Sequence, residues 1–474
     1  MESNFLANRL FEIKNANMAS FHVPGHKNGK LYERLGLYEY VQNLHVMDTT
    51  EIEGTDNLHS PSDVIKKAQE RASRAFGSDK SFFLVNGTTC GIQAAIMASV
   101  KPGEKLIMDR SSHMSAFNAC IMGQISTAYI DSKTDEKNAI PLPSLAEDVR
   151  YAIQKNRDAK AVYITSPTYY GDVADIEQIS QMAHENGMIL IVDSAHGSHL
   201  ELSENLPKGP IASGADICIF SLHKTLSAFT QSSIMHISGG RADVSAIKRF
   251  LAMIHSSSPS YILMSSIDVC MGIYEQYGKE LMRELLQNIE IIESFLKKAK
   301  RLSLYEGYSH GFDRTKIFIN TLETGFSGYE IEKVLRKDYG IQIEFATPYG
   351  IMIVSSIGND RSDFNRLKDA LKGIEQGKGP LPVQSFSGYP QEPAVKEMEM
   401  FEAFYAQREN ALFENATGKT SGEYIIPYPP GIPLVVPGEI IRSEVIDYIK
   451  TSKAHGMNIK GIKDSRCKSI EIIK

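Results

Sequence analysis

The sequence has no tryptophan, only five cysteines, and no apolar run near the roughly 18–20 residues of a membrane span. The cysteines, Cys90, Cys120, Cys218, Cys270 and Cys467, are odd in number and scattered, without a CxxC or a Cys/His cluster. That excludes a disulfide framework and a structural zinc site, and no metal is expected. Excess positive charge is also missing: 51 Lys and Arg stand against 57 Asp and Glu, a formal charge of −6. The balance argues against a nucleic-acid binder held by phosphate contacts. The first residues, MESNFLANRLFEIKNANMAS, interleave charges with apolar side chains and lack a signal-peptide core. What is present is ordinary globular composition, 42% hydrophobic and 23% charged, over 474 residues, enough for two or three domains. A cytoplasmic α/β enzyme is the expectation.

Between about residues 60 and 240, short β-rich runs alternate with helical patterns. The runs are Ser81–Val85, Lys105–Met108, Ala161–Thr165, Ile189–Val192 and Ile217–Phe220. Nearly every position is apolar, as in strands buried on both faces of a parallel sheet. Helices are expected over Pro61–Phe76, capped by Ser60, over Gly91–Val100, and over Asp175–Asn186 before Gly187. Beyond Ser260 the pattern predicts a long helix, Met264–Arg301, then a strand, Lys316–Asn320, a helix, Tyr329–Lys337, and a hairpin of Ile341–Phe345 with Ile351–Ser355. A Gly/Pro-rich stretch, Gly377–Pro393, leads to a helix around Ala394–Asn410 and a proline-rich ending. The expected division is an N-terminal segment, 1–55, a large α/β domain, 56–300, a small α+β domain, 301–376, and a linker with C-terminal segment, 377–474.

Four groups follow four expected strands. Lys224, in SLHKT, sits at a strand's C-terminal end, where α/β sheets place ligands, and its amine can form a Schiff base with an aldehyde cofactor. A loop lysine alone is usually just solvated. Asp193, in IVDSAHGSH, ends another strand and suits a protonated pyridine nitrogen, with His196 three residues on. Asn86-Gly87-Thr88-Thr89 leads into a helix whose first amides and hydroxyls suit a phosphate ester. His113, in DRSSHMS, offers a ring to stack on a pyridine. Each signal is weak by itself. Together they read as a site for pyridoxal phosphate (PLP).

FHVPGHKNG (Phe21–Gly29), NGTT, DRSSHMS, DSAHGSH, SLHKT, HSSSPSY (His255–Tyr261) and PYPPGIPLVVPGE occur in the order found in the ornithine/lysine/arginine decarboxylases of PLP fold type I, which this chain resembles from about residue 17 to 445. The resemblance implies a large, mostly parallel sheet domain with a smaller α+β C-terminal domain. It implies that Lys224 carries the cofactor, Asp193 pairs with the ring nitrogen, His113 stacks on the ring and His196 lies near its oxygen. Gly87, Thr88, Thr89, Ser221 and His223 match positions around the phosphate and lysine. Ser257 stands where the family has a Thr that reaches a partner subunit's phosphate, which implies a homodimer or larger homo-oligomer. Glu439 matches a carboxylate near the substrate's distal end, and His26 and Lys27 match a segment near the active site. Two departures stand out: only about twenty residues precede the PGHK motif, as in the short Gram-positive type, and Ser194 replaces the Glu of the usual DEAH.

The implied reaction is decarboxylation of a basic amino acid, with arginine favoured over lysine and ornithine by analogy with short members that serve polyamine synthesis. Lys224 or His223 would return a proton to Cα. One rival is transamination, which needs an arginine to grip the α-carboxylate, with Arg336 and Arg361 as candidates. Another is a non-catalytic regulator that keeps the fold.

Overall fold

The computed structural model describes all residues except 1–3, 132, 309–310, 378–389, 391–394, 429–430 and 455. Most of the expected Gly377–Pro393 linker therefore lies outside the described residues, as do Pro429 and Pro430 of the proline-rich ending.

A seven-stranded sheet forms the centre. Its strands are β1 (Lys80–Leu84), β2 (Lys105–Asp109), β3 (Ser126–Ile130), β4 (Ala161–Thr165), β5 (Ile189–Asp193), β6 (Ile217–Phe220) and β7 (Ser233–Ile237), in the spatial order β1-β7-β6-β5-β4-β2-β3. Neighbours pair in parallel except β7, which runs antiparallel to both β6 and β1. All four β6 residues and the last four of β5 are buried, because helices cover both faces and every second side chain meets one or the other. Parallel strands end on one edge of the sheet, and Asp193 and Ser221 stand on adjacent ends there.

Local chemistry moves several expected helix boundaries. The helix expected from Pro61 begins at Val64, with Asp63 at its N-cap position. The reason is Asp56, whose carboxylate accepts from the backbone amides of Ser62, Asp63, Ile65 and Lys66 and so satisfies the donors a helix start leaves open. The helix expected from Gly91 starts one turn earlier, as α1 (Gly87–Ser99), which brings Thr88 and Thr89 into its first turn. Asp175 caps Ile176–Glu185 by accepting from the Gln178 amide. The long helix is α2 (Tyr261–Leu296), capped by Ser260.

The smaller domain holds a four-stranded antiparallel sheet, β8 (Ser303–Leu304), β9 (Lys316–Asn320), β10 (Phe345–Ala346) and β11 (Gly350–Val354), in the order β8-β9-β11-β10. The expected hairpin is only half formed. Its first run splits at Glu344: Ile341–Ile343 pairs in parallel with Ala19–Phe21, and only Phe345 and Ala346 pair with β11. The Glu344 carboxylate is drawn aside by the Val23 amide (2.8 Å) and the Tyr169 hydroxyl (2.5 Å). The expected helix over Ala394–Asn410 is a six-residue turn, Met400–Tyr405, followed by a strand, Arg408–Leu412, that pairs with Ser469–Ile473. A separate apolar cluster, with Val445, Ile449, Ile459 and Ile470 at its centre, gives the C-terminal segment its own core. No helix among the described residues is long and apolar enough to cross a membrane.

Candidate active site

A cavity of about 280 Å³ opens at the C-terminal edge of the large sheet, lined by Gly87, Thr88, Thr89, His113, Asp193, His196, Ser221, His223 and Lys224 among others. Nine of the residues singled out from the sequence thus meet at one place. Lys224 lies in the short turn Leu222–Thr225 that β6 feeds, and its Nζ stands 3.0 Å from His196 Nε2. Burial lowers the pKa of this amine, against the opposing pull of Asp193 and Glu344, and favours the nucleophilic form. Asp193 is 3% exposed; its Oδ2 accepts from the Tyr163 hydroxyl at 3.1 Å and its Oδ1 from the Ala195 amide at 3.0 Å. The carboxylate is thereby fixed in direction at the end of β5.

The phosphate end is built by α1. Gly87 takes a left-handed backbone (φ 72°), which turns the chain from β1 into the helix and leaves open space where a Cβ would be. Ser221 Oγ lies 3.5 Å from Thr88 Oγ1 across this mouth. His113 is the N-cap of the helix Met114–Gly123: its Nδ1 accepts from the Ser115 amide, which fixes the ring's attitude toward the cavity. His223 Nδ1 donates to the Ser232 carbonyl at 3.1 Å, which orients the ring beside Lys224.

Four expected site residues lie elsewhere. Ser257 is in the exposed loop Ser256–Ser258, outside the cavity. His26 packs against Tyr32 and Phe229, and its Nδ1 accepts from the Gly29 amide. Its neighbours do reach the lysine turn, since the Gly25 amide donates to the His223 carbonyl at 2.7 Å. Lys27 is buried, with Nζ donating to the carbonyls of His22 and Val354. Glu439 needs a correction. It is 1% exposed and does not line the cavity, and both its oxygens accept from Arg110 (Nε 3.2 Å, Nη2 2.8 Å). The Val436 amide also donates to its Oε2 at 2.8 Å. Arg336 pairs with Glu332 on an exposed helix face and Arg361 is exposed, so neither arginine that transamination would need reaches the cavity.

The sequence reading missed Tyr169, Thr165 and the pair Gly431 and Ile432, all on the cavity wall. Tyr169 packs on His196, ring centroids 4.3 Å apart, and its hydroxyl donates to Glu344. Tyr169 and Thr165 lie just after or in β4, a strand that the sequence did mark, so its C-terminal end was the available signal. Arg110 was equally visible, inside DRSSHMS, but no local pattern tells which carboxylate it meets.

A family model for the Orn/Lys/Arg decarboxylase major domain matches residues 5–319, and one for the family's C-terminal domain matches residues 383–465. The chain belongs to the Orn/Lys/Arg decarboxylase family. It is 32% identical to the arginine decarboxylase of Bacillus anthracis over 98% of this chain and 96% of that one, and 32% identical to the arginine decarboxylase of Bacillus subtilis (strain 168) over 96% and 94%. In fold it is similar to the lysine decarboxylase LdcF of Francisella novicida (TM-score 0.77, 20% identity, 95% of this chain and 78% of that one). It is also similar to an alanine–glyoxylate aminotransferase from Nostoc sp. (TM-score 0.55, 13% identity, 71% and 91%). The architecture is that of PLP fold type I, and this member of the family is a decarboxylase.

The buried imidazoles make a prediction about acid stability. Burial pushes His26, His223 and His255 down to about 4 and His236 to about 3, from an ordinary value of 6.5. Below about pH 6.5 the unfolded chain takes up protons that the folded chain refuses, so stability falls as pH falls toward about 4. Each such histidine costs about 2 kcal/mol at about pH 5. Asp109 and Asp172, whose carboxyls burial raises, oppose the trend but are fewer. Calorimetric melting temperatures are expected to drop steeply below about pH 6; a flat profile through pH 5 contradicts neutral buried histidines.

Proposed function

We propose that this chain binds PLP covalently through Lys224 and decarboxylates a basic amino acid, with arginine the first candidate and lysine and ornithine next, as a cytoplasmic homodimer. One observation carries the reading: a buried amine, a fixed carboxylate and a glycine-led helix start converge on a single cavity from three strand ends. The cavity walls also contain two buried polar atoms without a partner, His196 Nδ1 and Thr165 Oγ1, which a polar ligand would satisfy. The residues present therefore fit the cofactor.

When bound, pyridoxal phosphate supplies a ring that accepts the electrons of the breaking bond between Cα and the carboxylate. Lys224 would hold it through its amine. Asp193 would hold a proton at the ring nitrogen, and His113 would lie beside the ring. The first-turn amides of α1, with Thr88, Thr89 and Ser221, would hold the phosphate. His223 lacks a proton to give: its Nδ1 hydrogen is engaged with the Ser232 carbonyl, and burial keeps the ring neutral at pH 7. Lys224 is therefore the group that returns a proton to Cα. Arginine stands first because the curated relatives at 32% identity carry that activity in their names. A dimer is supported by the N-terminal helix Phe5–Asn15, which buries none of its side chains and leaves Phe5, Leu6 and Phe11 exposed in the single chain; it would also bring Ser257 to a partner's phosphate. Five free cysteines suit a reducing compartment.

The test is incubation of the cofactor-loaded protein with arginine, lysine and ornithine in turn, with the amine identified by mass and carbon dioxide measured. One amine with equimolar carbon dioxide is expected. A keto acid in its place overturns the reading.

A further inference from the structure

The cavity ends at Pro141, Tyr170 and Ile432, and the same three side chains border a second cavity of about 30 Å³. The other walls of this slot include Tyr349, Tyr448 and Asn138. Ile432 thus stands between the main cavity and a slot that three tyrosines line. No carboxylate borders the slot, and Asp193 is the only one bordering the main cavity among the described residues. Aromatic faces of this kind attract a guanidinium or ammonium group through their ring quadrupoles.

Ile432 is held from both sides. Gly431 takes a left-handed backbone (φ 95°) and its amide donates to the Pro427 carbonyl at 3.1 Å, and Ile432 next to it lies on the cavity wall. Immediately after Ile432, Arg110 takes over. Its Nη1 donates to the Pro433 carbonyl at 2.6 Å and its Nη2 to the Leu434 carbonyl at 3.1 Å, while the Glu439 carboxylate accepts from Nε and Nη2. The Val436 amide donates to Glu439 Oε2 at 2.8 Å, so the carboxylate is itself tied to the same segment. Arg110 follows β2 directly and precedes Ser111 on the cavity wall. A fork with two carbonyls on one side and a buried carboxylate on the other has one geometry, which a lysine cannot reproduce.

We infer that the Arg110–Glu439 pair is a positioning clamp that fixes Ile432 as the partition between the main cavity and the tyrosine-lined slot, and that this partition sets how long a basic side chain the site accepts. The inference rests on the reading of the site as one for a basic amino acid. Arg110 and Glu439 act through the backbone of 433–436; of the three residues only Ile432 borders the cavity.

The experiment uses cofactor-loaded wild type, Ile432→Ala, Arg110→Lys and Glu439→Gln, each assayed with arginine, lysine and ornithine. Removing the Ile432 side chain is expected to raise the arginine-to-ornithine ratio of kcat/KM about tenfold, mainly through KM. The two clamp variants should move the ratio the same way by about threefold. A second readout needs no turnover: calorimetric titration of borohydride-reduced protein with alkylguanidines of graded length should show the longer members gaining affinity in Ile432→Ala. If a clamp variant fails to fold, Ile432→Ala and the titration still decide. Ratios within twofold of wild type, or an equal loss of kcat for all three substrates at constant KM, overturn the partition while leaving the decarboxylase reading intact. A wild type that acts on none of the three overturns both.

Discussion

Lys224→Ala is expected to lose turnover and covalent cofactor retention together. Among the described residues Lys224 supplies the only lysine amine on the cavity wall, 3.0 Å from His196 Nε2, so no other described wall residue can take over its anchoring role. The drop in kcat should be about 10³-fold or more, as for other groups that act directly on the reacting atoms. Lys224→Arg tests charge against nucleophilicity: a guanidinium keeps the positive charge near Asp193 but cannot make the link, and should be as inactive. Borohydride reduction followed by peptide mapping reads the attachment directly. The pyridoxyl mass is expected on the peptide that carries Lys224 in the wild type and nowhere in either variant. With no tryptophan in the chain to give an indole signal, the visible absorbance of the loaded cofactor serves as the reporter of its retention. Wild-type turnover by Lys224→Ala, or a pyridoxyl label on another lysine, removes the basis of the mechanism.

The sheet's centre was legible because its strands are buried on both faces and so read as unbroken apolar runs. Ala161–Thr165 and Ile217–Phe220 have the expected bounds, and the others move by a residue. The strands that escaped lack that signature. Ser126–Ile130 lies at the sheet's edge and mixes Ser and Thr with apolar residues, and Ser233–Ile237 carries His236, which is buried only because Ser78 and Ser81 bond its Nδ1. The split at Glu344 was invisible for a different reason. Periodicity favours a continuous strand through Ile341–Phe345, but a carboxylate in its middle is claimed by Val23, 321 residues away, and that long-range bond overrides the local pattern.

The same division runs through the site. Lys224, Asp193, His113 and Gly87–Thr89 could be found because each follows a recognisable strand, and the sheet gathers such ends without further information. Glu439 could be recognised from its motif but not located. Its environment depends on Arg110, 329 residues earlier, and a buried ion pair between distant segments has no trace in local sequence. Ile432 carries no polar group and Tyr169 belongs to no local motif, and their place on the cavity wall follows only from the folded backbone.

Asp193→Asn is expected to separate cofactor binding from catalysis. The amide keeps the size of the carboxylate and can still accept from the Ala195 amide, so the end of β5 should hold its shape. What it loses is the negative charge that keeps a proton on the ring nitrogen. The protein should therefore still carry cofactor on Lys224 and still absorb in the visible, while kcat falls about 10²-fold or more, the scale on which single electrostatic groups at a reacting centre act. The charge also favours protonation of Lys224 and His113, so its removal should shift the amine's titration further down and move the pH profile of cofactor attachment in the same direction. A cofactor analogue with carbon in place of the ring nitrogen closes the argument. Wild type loaded with it should be as slow as Asp193→Asn with the natural cofactor, and combining the two changes should cost nothing more, since both remove the same proton. Tyr163→Phe, which deletes only the hydroxyl that steadies Oδ2 at 3.1 Å, should fall between wild type and Asp193→Asn. Additive losses from variant and analogue would mean that Asp193 works by holding the loop Ser194–His199 in place, and its pairing with the ring would have to be abandoned.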